Sequence, residues 1–148
     1  MAVATETIDI SRSPDDVFWY VTDFAQFRRW QGSVVSVRAE GESVLIGSRA
    51  VVTRRVGPRR VRATETITEL TPPKTWEVRS SGGLPVTAIA NGRIEPLNYG
   101  KHSQVTIALD FEGRGIGKLL IPLVIRRQAR KQLPQNTAKL KEVLERSR

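Results

Sequence analysis

The chain has 148 residues and a mass of 16.6 kDa, enough for one domain with a sizeable core, which is expected to span 1–148, and two full domains are not expected. Its 39% apolar, 26% charged and 6% aromatic residues are those of a globular chain, and the lack of cysteine excludes disulfides, thiolate nucleophiles, Fe–S clusters and cysteine zinc sites. The net charge is +9, carried mostly by residues 114–148, with ten Lys/Arg against two Asp/Glu, whereas residues 1–113 are nearly balanced at 14 against 13.

Residues 3–10 alternate apolar and polar side chains, the period of a strand with one buried face. The start MAVATETIDIS lacks the basic residues and unbroken apolar run of a signal peptide, so the expected compartment is the cytoplasm. Ser13-Pro14-Asp15-Asp16 supplies a helix start, with Ser13 as N-cap, proline where its missing N–H costs nothing, and acids against the helix dipole. Val17, Phe18, Tyr20 and Val21 form its buried side, and a second short helical segment over 24–29 ends near Trp30-Gln31-Gly32.

From 33 to 112 the chain is rich in Val, Thr and Ile and is punctuated at Gly41, Gly57-Pro58, Pro72-Pro73, Gly82-Gly83 and Asn98-Tyr99-Gly100. Six strands are expected, over 33–40, 47–56, 60–70, 75–80, 85–95 and 102–112, and their short connections favour antiparallel neighbours. Arg54, Arg55, Arg59, Arg60 and Arg62 flank Val56-Gly57-Pro58 and read as a charged hairpin tip that discourages edge pairing.

After Gly113-Arg114-Gly115 a helical pattern runs to about residue 146. Residues 116–125 are apolar on nearly every side, as expected of a segment wedged between a sheet and its loops, and are too few to span a bilayer. Beyond them Ala129, Leu133, Thr137, Leu140 and Leu144 form one buried stripe opposite Arg126, Arg127, Arg130 and Lys131, with Pro134 expected to kink the helix. Gly113-Arg114-Gly115-Ile116-Gly117-Lys118 mimics a nucleotide-binding loop. However, Lys118 stands where G-x-G-x-x-G needs its last glycine, and no further strand pattern follows.

This order, together with ISRSPDDVF at 10–18, Asp23-Phe24, Phe27-Arg28-Arg29-Trp30 and the turn Asp110-Phe111-Glu112-Gly113, resembles the START-like (SRPBCC) superfamily over almost the whole chain. Within it the chain is most similar to the bacterial polyketide cyclase/dehydrase and lipid-transport-like group. The resemblance implies an α+β helix-grip fold. In that fold a seven-stranded antiparallel sheet curves around the long C-terminal helix, two short helices follow strand 1, and a cavity lies between sheet and helix. Members bind lipids, polyketides, steroids or plant hormones there, so the fold alone names no ligand.

Trp30 matches the family tryptophan beside the cavity mouth and offers a ligand a broad apolar face and one N–H donor, or else locks the short helices onto the sheet. Trp76 shares a strand face with Val78, and Phe111 shares one with Val105, Ile107 and Leu109. Glu65 shares parity with Val61, Ala63 and Ile67, which places a carboxyl among apolar neighbours. Desolvation there favours its neutral form and suits it to proton transfer in an aldol-type cyclisation, unless a bulge turns it to solvent. Asn91, between Ile89 and Arg93, is a candidate hydrogen-bond donor to a ligand carbonyl. His102, the one histidine, follows a turn; a Ser–His–Asp triad would need it as base, and no G-x-S-x-G elbow accompanies it.

The expected function is therefore binding of a hydrophobic small molecule in the cavity, without metal or cofactor. The alternative is a polyketide cyclase or dehydratase with Glu65 or His102 as proton-transfer group. A lesser reading makes the basic C-terminal helix an electrostatic contact with anionic surfaces. Nucleic acid is not the expected partner, because few aromatics interleave with the arginines.

Overall fold

The computed structural model describes residues 2–146, apart from the side chains of Leu120 and Leu123. Strand β1 (Ala4–Ile10) leads into helix α1 (Pro14–Val21), a 3₁₀ turn (Phe24–Gln26) and helix α2 (Phe27–Trp30). The Ser13 side chain caps α1 by accepting from the Asp16 N–H at 3.2 Å, with Pro14 in the first turn and Val17, Phe18 and Val21 buried. Asp23 caps the 3₁₀ turn through the Ala25 N–H at 3.0 Å, which divides the expected second helix into two short pieces.

Six strands follow: β2 (Val34–Ala39), β3 (Arg49–Val56), β4 (Arg59–Thr71), β5 (Thr75–Leu84), β6 (Val86–Leu97) and β7 (His102–Gly113). They form one curved antiparallel sheet in the order β1-β7-β6-β5-β4-β3-β2, a meander whose last strand also takes β1 as its neighbour. Short turns of one to four residues dictate the order from β3 to β7, since such connections join only adjacent antiparallel strands, and a nine-residue loop, 40–48, joins β2 to β3.

The sheet differs from expectation at Gly82-Gly83, which is a bulge inside β5 and not a turn; the chain reverses at Pro85, where Leu84 pairs with Val86. A Cβ at Gly83 would lie 2.4 Å from Val61 Cγ1 and 2.6 Å from the Arg62 carbonyl, so glycine is what lets β5 lie so close to β4. A second bulge in β4 sets Thr68 and Glu69 against Glu77, so that Ile67 and Leu70 both face inward, opposite Val78 and Trp76.

The C-terminal rod comprises α3 (Gly117–Leu120), a π-helical turn (Ile121–Ile125) and α4 (Arg126–Arg146). Gly115 has φ +55°, and a Cβ at Gly117 would meet the Pro85 carbonyl at 1.9 Å, so these glycines serve the tight reversal onto the β5–β6 turn. The stripe Ala129, Leu133, Thr137, Leu140 and Leu144 is buried as its spacing requires, and α4 runs on through Pro134. Segment 116–125 departs from expectation: Ile125 is buried, but Ile116, Leu119 and Val124 are 66%, 62% and 39% exposed. The helix begins outside the sheet's rim, with its glycine edge on Pro85, so nothing covers the opposite edge.

Polar bonds fix α4 along β1. Lys141 Nζ donates to the Asp9 carbonyl at 2.6 Å, the Ser11 N–H to Glu145 at 2.9 Å, and Arg12 to the Leu144 carbonyl at 2.7 Å. No described helix is long and apolar enough to cross a membrane.

Candidate functional site

Between the inner sheet face and α4 lies a cavity of about 220 Å³. It exists because the inward positions of the central strands that line it are small: Ala63 on β4, and Ala88 and Ala90 on β6. Gly92 is covered by the Trp76 indole, whose ring carbons stand 1.9–2.2 Å from where a Cβ would be. Phe18 meets Trp76 edge-on at 6.0 Å and backs the indole. Ile107, Leu109 and Phe111 on β7 and Ile125, Ala129 and Leu133 on the rod form much of the remaining apolar wall. The volume falls just short of the ~300–1,000 Å³ usual for small-molecule sites, which suits a compact ligand.

One corner is polar. Glu65 is 3% exposed, and Arg54 grips both its oxygens, Nε to Oε2 at 2.9 Å and Nη2 to Oε1 at 3.2 Å. Arg54 also donates to Ser33 Oγ at 3.2 Å and to Gln31 Oε1 at 2.7 Å. All four residues line the cavity. A guanidinium fork on a carboxylate is among the strongest side-chain pairings, and burial makes each charge depend on the other.

Two amide side chains close the rim between the helix and the sheet-side loops. Gln128 donates to the Arg55 carbonyl at 2.9 Å and accepts from the Gly57 N–H at 3.0 Å, holding the β3–β4 hairpin tip; Asn136 Oδ1 accepts from the Gly32 N–H at 2.9 Å. Both latches are solvent-exposed hydrogen bonds on residues that line the cavity.

Trp30, Glu65, Trp76 and Phe111 thus come together on one hollow. Trp30 is 6% exposed and packs edge-on to Phe27 at 6.1 Å, with its Nε1 buried and unpartnered. For Glu65 the alternation holds, but both oxygens are engaged by Arg54, which removes the free carboxyl that proton transfer asks for.

Asn91 and His102 do not join the site. Asn91 is exposed on the outer face opposite Glu77, because the inward set of β6 is Val86, Ala88, Ala90 and Ile94. Ile89 is buried on the outer face, so both parities of this strand looked apolar. His102 opens β7 opposite Leu97, out of phase with inward Ser103, Val105 and Ile107, and is half-buried away from the cavity.

Gln31, Ser33, Gln128 and Asn136 have no counterpart among the expected site residues, and Arg54, expected as one of the charges of the hairpin tip, instead turns into the cavity onto Glu65. Its direction was legible, since it shares parity with Ala50, Val52 and Val56, the same alternation that marks Glu65. The others come from loops and a helix flank, where no periodicity points to a cavity.

A family model described as polyketide cyclase / dehydrase and lipid transport matches residues 1–145. Among solved structures, a START superfamily protein from Mycobacterium smegmatis superimposes with a TM-score of 0.77 at 12% identity, covering 97% of each chain. TTHA0849 from Thermus thermophilus gives 0.76 at 16% identity over 95% of each. The di-domain ARO/CYC BexL of the BE-7585A biosynthetic pathway gives 0.73 at 18% identity, over 96% of this chain and 46% of that one. At these identities the likeness is one of fold. No curated protein matches the chain.

Proposed function

The chain belongs to the polyketide cyclase/dehydrase and lipid transport family, and on that premise we propose that it binds a compact hydrophobic small molecule in the cavity between sheet and helix. The carrying observation is the hollow itself: inward alanines leave space that Trp76, Ile107, Leu109 and Leu133 surround but do not fill. An apolar body displaces poorly bonded water from such walls, with a gain of roughly 25 cal/mol per Å² of apolar surface covered. The polar corner at Arg54, Gln31 and Ser33 then orients one oxygen-bearing end.

Native mass spectrometry of the protein after incubation with a lipid and polyketide extract tests this reading. The expected result is retention of an apolar compound that an Ala88→Trp variant no longer holds. Absence of any retained compound in the unsubstituted protein would overturn it.

A second reading, a cyclase or dehydratase, is supported by one observation, a carboxyl group on the cavity wall at Glu65, and it requires substrate to draw Arg54 off one of the two oxygens it holds. Turnover of a poly-β-ketone substrate that falls in Glu65→Gln and survives in His102→Ala would favour it. Equal turnover in both would remove Glu65 from that role.

A further inference from the structure

We propose that the exposed outer edge of segment 116–131 docks on an anionic lipid bilayer. The start of the helix leaves one edge uncovered. Gly113 and Gly117 face inward, each so close to backbone that a Cβ would meet atoms 2.6 Å away or nearer, Gly117 against the Pro85 carbonyl. The opposite edge therefore turns to solvent and presents Ile116, Leu119 and Val124, 66%, 62% and 39% exposed, within nine residues of chain that also hold exposed Pro122. Three large aliphatic side chains close together in the chain cost solubility and suit a surface that buries them.

Charge says what that surface is. Between residues 114 and 141 the chain has eight Lys/Arg and no Asp/Glu. Arg114, Lys118, Arg126, Arg127 and Lys131 are exposed, and among the described residues none has a carboxylate partner. Arg127 and Lys131 lie on the same groove of the helix as Val124, so cations and an aliphatic group share one face. Aliphatic groups with cations beside them are what a headgroup–acyl boundary accepts, the apolar groups entering the acyl edge and the cations meeting lipid phosphates. RNA would reward the cations and leave the aliphatic groups without use, and no aromatic residue lies in this segment to stack on bases.

Ile125 and Ala129, on the other side of the same turns, line the cavity, and Gln128 borders both the cavity and the outer groove. A bilayer held at the helix start therefore sits beside the rim closed by Gln128.

Sedimentation of the full chain with phosphatidylcholine vesicles, with and without phosphatidylglycerol, tests the proposal at low and high salt. The expected result is capture by the anionic vesicles alone, weakened by salt. Arg126→Gln/Arg127→Gln/Lys131→Gln is expected to lose about fivefold per cation removed. Ile116→Ser/Leu119→Ser is expected to lose roughly tenfold or more. Unchanged thermal melting would establish that both variants fold, their side chains being exposed. Equal capture by neutral vesicles, no capture at low salt, or an affinity indifferent to either set of substitutions would overturn the proposal. So would single-stranded RNA binding more tightly than the vesicles and ignoring Ile116→Ser/Leu119→Ser.

Discussion

Arg54 and Glu65 carry opposite charges into a wall that is otherwise apolar, and each is tolerable only beside the other. Arg54→Met leaves Glu65 uncompensated and is expected to cost about 3 kcal/mol, near the low end for a broken buried pair because the Arg54 side chain keeps 26% exposure. Adding Glu65→Leu should restore most of that stability, and urea midpoints of the single and double variants would show it. A double variant no more stable than Arg54→Met would mean the pair is not coupled. Glu145 makes a pH-dependent contribution at the other end of the rod. Its hydrogen bond from Lys141, and then that from the Ser11 N–H, hold its carboxyl below the ordinary 4.5. A carboxyl depressed in the folded state stabilises the fold above its unfolded pKa, and that contribution is lost as pH falls through the lower folded value. Urea midpoints from neutral pH to below 4.5 should therefore fall less steeply in Glu145→Gln than in the unsubstituted protein. Parallel curves would count against the contribution.

At the scale of elements, the cavity depends on how β5 and β6 share space. Trp76 lies flat over Gly92, so Gly92→Ala forces the indole aside and is expected to cost ~1–3 kcal/mol as overpacking. In a Trp76→Leu background the same change should cost much less, and a double-mutant cycle measures the difference. Additive costs would place the strain elsewhere. The β3–β4 hairpin and α4 meet through Gln128, whose two bonds to the hairpin backbone are exposed to water and so cheap to break. Gln128→Ala should leave the melting temperature nearly unchanged while speeding release of a bound apolar fluorescent probe. Unchanged release in stopped-flow measurements would show that the rim opens elsewhere.

For the whole molecule, the sheet, the short helices and the rod surround a space none of them fills, so a ligand that enters binds the folded state alone. At a hundredfold excess over Kd it should add about 2.7 kcal/mol, seen calorimetrically as a melting temperature several degrees higher. A compound retained without any such shift would be bound outside the fold. Much of this architecture was written locally. Ser13-Pro14-Asp15-Asp16 encodes the α1 start, alternation places Trp76, Phe111 and Glu65 on inward faces, and three- and four-residue steps mark the buried stripe of α4. These follow from periodicity and capping, which act between residues near in sequence. Tertiary structure decided the rest. Ile89 outside and Ala88 inside are indistinguishable until the sheet curves, and Gly82-Gly83 reads as a turn until β5 is laid against Val61. The apolar run at 116–125 likewise looks buried until the helix is seen to begin beyond the sheet's rim. Elements and faces can be read along the chain, because dihedral preference and side-chain period are local. Which side chain closes on which, as Arg54 closes on Glu65, was decided by strand register and curvature, since alternation turns both inward without saying that they meet.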